Sequence, residues 1–388
     1  VKSFNFKGEV SSSKSYYNRA LILSAYKKDL QIFGQSTSRD VVFLKSAIQE
    51  VKSEMNVGEG GTTLRFLSFL VSRKPGVWSL KGSSRLFSRP QAEIQKILGA
   101  LGVEVDLKPD SLLISSKGWQ NPGPLQLDLS KSSQFASGLL LNAWNLDFPL
   151  DLELSKERVS DGYFEMTLDL VKKAGMEIEQ SENRIQIPEH QKISISSLRV
   201  EQDVSSAFVV ASIAAGRGQC EVENFPFTSL QPDVRFVKLF EDMNVPIQKK
   251  GSSLFVERAL EMKPIQISLR DAPDLFPVLC VLLTKAKGQS RISNTPQLRH
   301  KESDRLGKTA ELLTLMKVPH ELIQDGIIIN SLGRHHHEFF EFDPDEDHRL
   351  AFAAALAKSF GYRMRIKHPD VVNKSFPGFW KLIGGGPG

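Results

Sequence analysis

Six times along the chain a small, polar or charged cluster is followed at once by an apolar helical run, and no other feature limits the possible folds so tightly. The segments are SSSKSYYNRALILSAY from Ser11, GGTTLRFLSFLVS from Gly60, SSQFASGLLLNAW from Ser132, DVSSAFVVASIAAG from Asp203, DAPDLFPVLCVLLTKAKG from Asp271 and DEDHRLAFAAALAKSFG from Asp345. Their starts are separated by 49, 72, 71, 68 and 74 residues, an approximate repeat of supersecondary units. Between them lie short alternating or β-branched stretches, DSLLISS, NRIQIPE, SSLFVE and DGIIINS, which predict strands. A second set of amphipathic helices, AEIQKILGALG, GYFEMTLDLVKKAG and VRFVKLFEDMN, precedes several of these strands. The repeating unit is therefore roughly strand, helix, strand, helix, strand, in an α/β fold. No linker rich in Pro, Gly or Ser cuts the 388 residues, so the repeat itself puts a domain boundary near residue 200.

Each apolar run starts with Ser, Thr, Gly or Asp, residues that cap the orphan N–H groups of a helix. Such N-termini also attract anions, because free N–H groups and the positive end of the helix dipole point the same way. Basic residues crowd these starts. Lys14, Ser15 and Arg19 open the first segment, with Ser15 and Arg19 on one face at i,i+4. Thr62 and Arg65 follow the turn at Gly60 and Gly61, where a missing side chain lets a ligand approach the backbone. LRHKESDRLGK sets Lys301, Glu302 and Arg305 at the head of another predicted helix, whose apolar face includes Leu306, Ala310 and Leu313. The last segment supplies His348 and Arg349, and Lys374 precedes SFPGFW. A cation at a helix N-terminus opposes the dipole by about 0.3–1 kcal/mol. One such residue is solvated surface charge; the same placement on four separate helices points to bound anions.

These motifs resemble the 5-enolpyruvylshikimate-3-phosphate synthase family along nearly the whole chain. SSSKSYYNRALILSA is similar to its SKS-x-x-NRA segment and GEGGTTLRFL to its GN-x-GT-x-x-R loop, while RLFSRP, SSQFASGLLL, DAPDLFP, RHKESDR, DHRLA and NKSFPGF follow in the family's order. The resemblance implies two globular domains, each of three βαβαββ units, with the active site in the interdomain cleft. One domain would cover 13–200; the other would combine 1–12 with 201–388.

The implied reaction moves the enolpyruvyl group of phosphoenolpyruvate to the 5-hydroxyl of shikimate 3-phosphate and releases phosphate. Carried over by motif, phosphoenolpyruvate would be held by Lys14, Gly61, Arg65, Arg89, Gln134, Arg305, Arg349 and Lys374. Arginine suits this task because its planar fork pairs bidentately with carboxylate and phosphate. Shikimate 3-phosphate would be held by Ser15, Arg19, Ser132, Ser133, Gln134, Ser160, Asp274, Gln297 and Lys301. Asp274 would take the hydroxyl proton and Glu302 would protonate the methylene carbon, with Lys14 participating. So many cations remove the need for a metal, and no cofactor is implied.

Departures from the family pattern are also present. Glu59 stands where the family has Asn, and a carboxylate about 4 Å from an anionic substrate would cost roughly 1 to 4 kcal/mol. Gln297 replaces the usual Asn, and Ser11-Ser12 replaces Pro-Gly. The run Arg334-His335-His336-His337-Glu338 invites a metal reading, but neighbouring side chains on a strand point to opposite faces, so the three histidines cannot share one ion. The tail IGGGPG reads as a flexible terminus.

Other functional classes have less support. The related UDP-N-acetylglucosamine carboxyvinyltransferases usually carry a Cys in the loop corresponding to RLFSRP, and this chain has none there. A catalytically impaired relative that only binds phosphorylated ligands rests on Glu59 alone. A nucleic-acid binder draws on the net charge of +5, but the basic residues are scattered over helix starts with no DNA- or RNA-binding module. The two cysteines, Cys220 and Cys280, sit in apolar surroundings without partners at ligand spacing, which suits a reducing compartment. The opening VKSFNFKGEVSSSK resembles neither a secretory signal nor a transit peptide, and the longest apolar runs are about half of the roughly 20 residues that span a bilayer. A cytoplasmic monomer that acts on small molecules, with no membrane or nucleic-acid partner, is expected.

Overall fold

The computed structural model describes residues 3–333 and 338–384, apart from the side chain of His300. The chain divides into two compact units, Ser12–Glu201 and a second built from Val1–Ser11 with Gln202–Gly388. Each has its own apolar core.

One sheet pattern recurs four times. In the first unit, Glu54–Gly58 pairs parallel with Gly76–Gly82, which pairs antiparallel with Ser111–Ser116, which pairs antiparallel with Glu104–Leu107. Pro124–Leu127, Leu150–Leu154, Arg184–Ile187 and Glu179–Gln180 repeat that sequence of pairings. In the second unit Phe4–Gly8, Gly218–Val222, Ser253–Glu257 and Ile247–Lys250 repeat it again. So do Gln266–Ser268, Gly288–Ser293, Gly326–Ser331 and His320–Ile323. The predicted strands lie in these sheets, and their alternation has a plain cause: one face of each sheet is buried. Leu150, Leu152 and Leu154, for example, point into the core from a single strand.

Two further sheets depart from the six equal units implied by the sequence. Gln31–Phe33 with Ser197–Arg199, and Phe340–Phe342 with Met364–Ile366, are single parallel pairs. Among the described residues they keep the parallel half of the motif and lack its antiparallel half.

The helices that carry the motifs are α1 (Lys14–Tyr26), α2 (Gly61–Ser72), α3 (Gln134–Leu141) and α4 (Asp161–Lys173) in the first unit. In the second they are α5 (Val204–Arg217), α6 (Phe276–Leu282), α7 (Arg305–Leu315) and α8 (His348–Ser359). Capping fixes several of their starts. The Ser13 hydroxyl accepts from Tyr16 N–H, and the carboxylates of Asp203, Asp304 and Asp347 accept from Ser206, Gly307 and Arg349 N–H.

Two predicted starts are different. α6 has no side-chain cap and follows a 3-10 turn, Pro273–Leu275, and Pro277 lacks the N–H that would bond the Pro273 carbonyl in one continuous α-helix. α7 begins at Arg305, so Lys301 and Glu302 precede the helix rather than fill its first turn; Asp304 is the stronger cap and sets the start there.

α5 and α6, the longest apolar runs, are buried core helices, and among the described residues no helix is long and apolar enough to cross a membrane. Cys220 and Cys280 are buried and unbridged, and burial pushes the Cys220 thiol up to about 12. The histidines at 335–337 and the last four residues of the IGGGPG tail lie outside the described residues.

Candidate active site

In the first unit, close helix contact places the polar groups. The α-carbon of Gly138 in α3 lies so near α2 that a β-carbon there would come 2.6 Å from the Phe69 ring and 3.3 Å from the Arg65 carbonyl. Only glycine permits this approach, and it brings the start of α3 against Arg65. The Arg65 guanidinium, 3% exposed, donates to Gln134 Oε1 at 2.6 Å, Gln91 Oε1 at 3.2 Å, the Pro90 carbonyl at 3.2 Å and Ser132 Oγ at 3.4 Å. It stacks over the Phe135 ring at 4.6 Å. All of these acceptors are neutral.

Arg89, just beyond the short helix Ser84–Ser88, lies against the start of α2: a β-carbon on Gly61 would be 3.1 Å from its Nη1. Lys14 forms an ion pair with Asp40 at 2.9 Å. Asp40 also accepts the Thr63 hydroxyl at its carbonyl, 3.2 Å, tying α1 to α2 through a residue that the motifs did not single out. Ser133 donates to the carbonyl of Ser160, which caps α4 in a left-handed conformation with φ of 58°. Ser15 is half-buried in the first turn of α1.

Arg19 behaves differently from the other predicted cations. Its guanidinium donates to Thr167 Oγ1, the Ser15 carbonyl and the Tyr163 carbonyl at 2.7, 2.7 and 2.9 Å, and it is 1% exposed. Burial lowers its pKa to about 10, which leaves it charged at neutral pH. In this conformation it braces α1 against α4.

The second unit gathers charge around one side chain. Arg305 is 1% exposed and donates to three carboxylates: Nε to Asp347 at 2.7 Å, Nη1 to Asp274 at 2.6 Å and Nη2 to Glu302 at 2.7 Å. The other oxygen of Asp274 takes Arg349 Nη2 at 2.9 Å. Asp347 meanwhile caps α8 through Arg349 N–H and accepts the Ser303 hydroxyl at 3.0 Å. Burial would raise the Asp274 carboxyl, but Arg349, Arg305 and Lys301 outweigh it and hold the group well below the usual carboxylate range. Burial disfavours the charge on Arg305 and Arg349, and their carboxylate partners more than restore it.

Asp233 lies behind this network in a 3-10 turn, Pro232–Arg235, and accepts the Ser205 hydroxyl. Gln297 donates to the Arg270 carbonyl at 3.0 Å, and Lys374 is buried at the end of the turn Pro369–Lys374.

Each unit thus brings together its share of the predicted set: Lys14, Gly61, Arg65, Arg89, Ser132, Ser133, Gln134 and Ser160 in one, Asp274, Glu302, Arg305 and Arg349 in the other. The sequence reading missed Asp40, Gln91, Asp233 and Asp347. Asp347 had a visible signal, since it lies within DHRLA and occupies a capping position. The others are partnered only through tertiary contacts. Among the described residues no group of three or more His, Cys, Asp or Glu side chains is arranged to hold a metal ion.

The model of the family described as EPSP synthase (3-phosphoshikimate 1-carboxyvinyltransferase) matches residues 28–383. The chain belongs to the EPSP synthase family. A 3-phosphoshikimate 1-carboxyvinyltransferase of Methanoculleus marisnigri is 34% identical over 339 residues, covering 85% of this chain and 79% of the relative. One from Archaeoglobus fulgidus is 29% identical over 402 residues, covering 97% and 95%. Among solved structures, EPSP synthase of Acinetobacter baumannii superposes with a TM-score of 0.75 at 21% identity, covering 99% of this chain and 96% of its own. That likeness gives the enolpyruvyl-transferase fold, and the relatives name the shikimate enzyme rather than its UDP-N-acetylglucosamine counterpart.

Proposed function

We propose that the chain transfers the enolpyruvyl group of phosphoenolpyruvate to the 5-hydroxyl of shikimate 3-phosphate, releasing phosphate, and that the two residue clusters divide the work. The observation that carries this reading is the bridging of Asp274 and Glu302 by the single guanidinium of Arg305. It ties a proton acceptor and a proton donor to one rigid fork.

In this reading the 5-hydroxyl oxygen bonds to the central carbon of phosphoenolpyruvate. Its proton passes to Asp274, and Glu302 gives a proton to the methylene carbon, making a tetrahedral intermediate. The carbon–phosphate oxygen bond then breaks, Glu302 recovers a proton from the new methyl group, and phosphate leaves with the proton held by Asp274. A carboxylate held as low as Asp274 accepts hydrogen bonds but is a poor base. When the substrate carboxylate engages Arg305 and Arg349 it draws their charge away from Asp274 and raises its proton affinity at the step that needs it.

Lys14, Gly61, Arg65, Arg89, Gln134 and Lys374 complete the phosphoenolpyruvate set. Ser15, Arg19, Ser132, Ser133, Ser160, Gln297 and Lys301 complete the shikimate 3-phosphate set. Arg19 serves it either by giving up an internal bond or by holding Ser15 in place. No metal or cofactor enters the scheme, and a monomer acting in the cytoplasm completes it.

A phosphate-release assay with both substrates tests the roles. Asp274→Ala and Glu302→Ala should each lower turnover by about 10²–10⁴-fold, the usual worth of a positioned acid or base. Undiminished turnover in both variants would remove the assignment.

A further inference from the structure

The neighbourhood of Arg305 and Arg349 has more acid than base. Asp203, Asp233, Asp274, Glu302 and Asp347 face the cations Arg305, Arg349 and Lys301. Any anion that binds to the two arginines enters a region already short of positive charge, and it takes charge from carboxylates that now depend on those arginines. The added negative charge raises the proton affinity of these acids, so the one least held by donors is the one that takes up a proton.

The geometry decides which acid. Asp274 has a guanidinium on each oxygen, Glu302 is bonded to Arg305, and Asp347 is bonded to Arg305 while capping α8. Asp203 caps α5, accepting Ser206 N–H at 2.7 Å. Among the described residues, Asp233 alone in this group has neither a cation within ion-pair distance nor a backbone donor. One oxygen takes the Ser205 hydroxyl, and the other, Oδ1, is buried with no hydrogen-bond partner among the described residues, in a side chain only 1% exposed. Arg349 Nε is likewise buried and without a hydrogen-bond partner among the described residues.

The elements packed around Asp233 present Asp203 and Ser205 from α5, Asp274 from the turn before α6, and Arg349 from α8. The helix that follows it, Phe236–Asp242, holds Lys238, Glu241 and Asp242 in ion pairs with one another on its exposed side. Burial, and after it the Asp274 charge, raise Asp233 to about 7, while Arg349 and the Ser205 hydroxyl restrain it.

We propose that Asp233 takes up a proton when an anionic substrate binds at Arg305 and Arg349, so that phosphoenolpyruvate binding is coupled to protonation of a residue that never touches it. The proton comes from the buffer and goes to Asp233, and no covalent bond of the substrate changes. Asp233 is a charge-compensating, positioning residue, and the proposal rests on the phosphoenolpyruvate reading given above.

Calorimetric titration of the full chain with phosphoenolpyruvate at pH 8, in Tris and in HEPES, counts the protons. The wild type should take up a fraction of a proton approaching one, and Asp233→Asn, which keeps an acceptor for Ser205, should bind with none. Michaelis constants for phosphoenolpyruvate between pH 6 and 9 give a second readout. They should rise above neutral pH in the wild type and stay flat in Asp233→Asn. Ser205→Ala, which removes a bond to the ionised form, should move the rise to higher pH. Equal proton uptake in wild type and Asp233→Asn would overturn the proposal.

A chain that binds no phosphoenolpyruvate would sink the activity reading instead, and the ligand-free titration then decides this one. Wild type and Asp233→Asn should differ by one proton released as pH rises through neutrality, and coincident curves would refute the assignment.

Discussion

Arg65 and Arg305 are both almost fully buried and both hold their side chains with every nitrogen engaged, yet their surroundings are opposite. Arg65 donates to two amides, a hydroxyl and a backbone carbonyl, so these four bonds orient its charge without using a carboxylate. Arg305 is matched by three carboxylates, so its charge is cancelled several times over. The first arrangement suits a receptor that presents an oriented guanidinium to an incoming anion. The second suits a proton-transfer device, in which acids are held ready and released when an anion competes for the guanidinium. In the sequence both residues read simply as cations near helix starts; their partners separate the roles.

Removing each arginine should expose the difference most strongly. Arg305→Met takes away the guanidinium that Asp274, Glu302 and Asp347 share, leaving Asp274 to Arg349, and should cost about 3–5 kcal/mol of stability by denaturant unfolding, together with loss of turnover. Arg65→Met leaves the four neutral acceptors of its hydrogen bonds unsatisfied, at about 1–3 kcal/mol. Equal losses would break the contrast.

Much of this was visible in the sequence, and the remainder was hidden for physical reasons. Helix starts at Lys14, Val204 and His348 follow from short-range capping by Ser13, Asp203 and Asp347, and the strands follow from alternation. Asp233 and Asp40 carry no local signal, because their partners lie on other elements and only tertiary packing brings them together. Lys301 and Glu302 were misplaced into a helix because a charged run before an apolar stripe does not reveal which of two acids, Glu302 or Asp304, will cap. The paired-strand sheets were equally illegible: a strand of three residues, such as Gln31–Phe33, is too short to alternate.

A smaller effect should sharpen the view of Arg65 as a receptor. Gln134→Leu removes its shortest hydrogen bond without touching charge, and should raise the Michaelis constant for phosphoenolpyruvate about tenfold, equivalent to about 1.4 kcal/mol. An unchanged constant would mean that Gln134 orients nothing.

The smallest effect belongs to Glu59, half-buried just before α2, where an acid tempers the positive charge of this unit. Glu59→Asn should lower the same constant about fivefold, equivalent to about 1 kcal/mol. No change would show that its charge is already neutralised within the protein.

The strand Phe4–Gly8 has a consequence for how the molecule is made. It leaves the ribosome ahead of Ser12–Glu201, and its partner Gly218–Val222 follows only after the whole of that unit has been synthesised. The Gly218 position admits no side chain, since a β-carbon there would lie 1.9 Å from the Phe4 carbonyl oxygen, so the pair can close only at that one glycine. Left to a random coil, a connection this long would close slowly. A nascent chain avoids the delay by folding the intervening residues first: Ser13 N–H meets the Glu201 carbonyl at 2.8 Å, so the finished insert delivers its two ends side by side. The strand Phe4–Gly8 is then a waiting half of a seam, and the order of translation becomes the order of assembly.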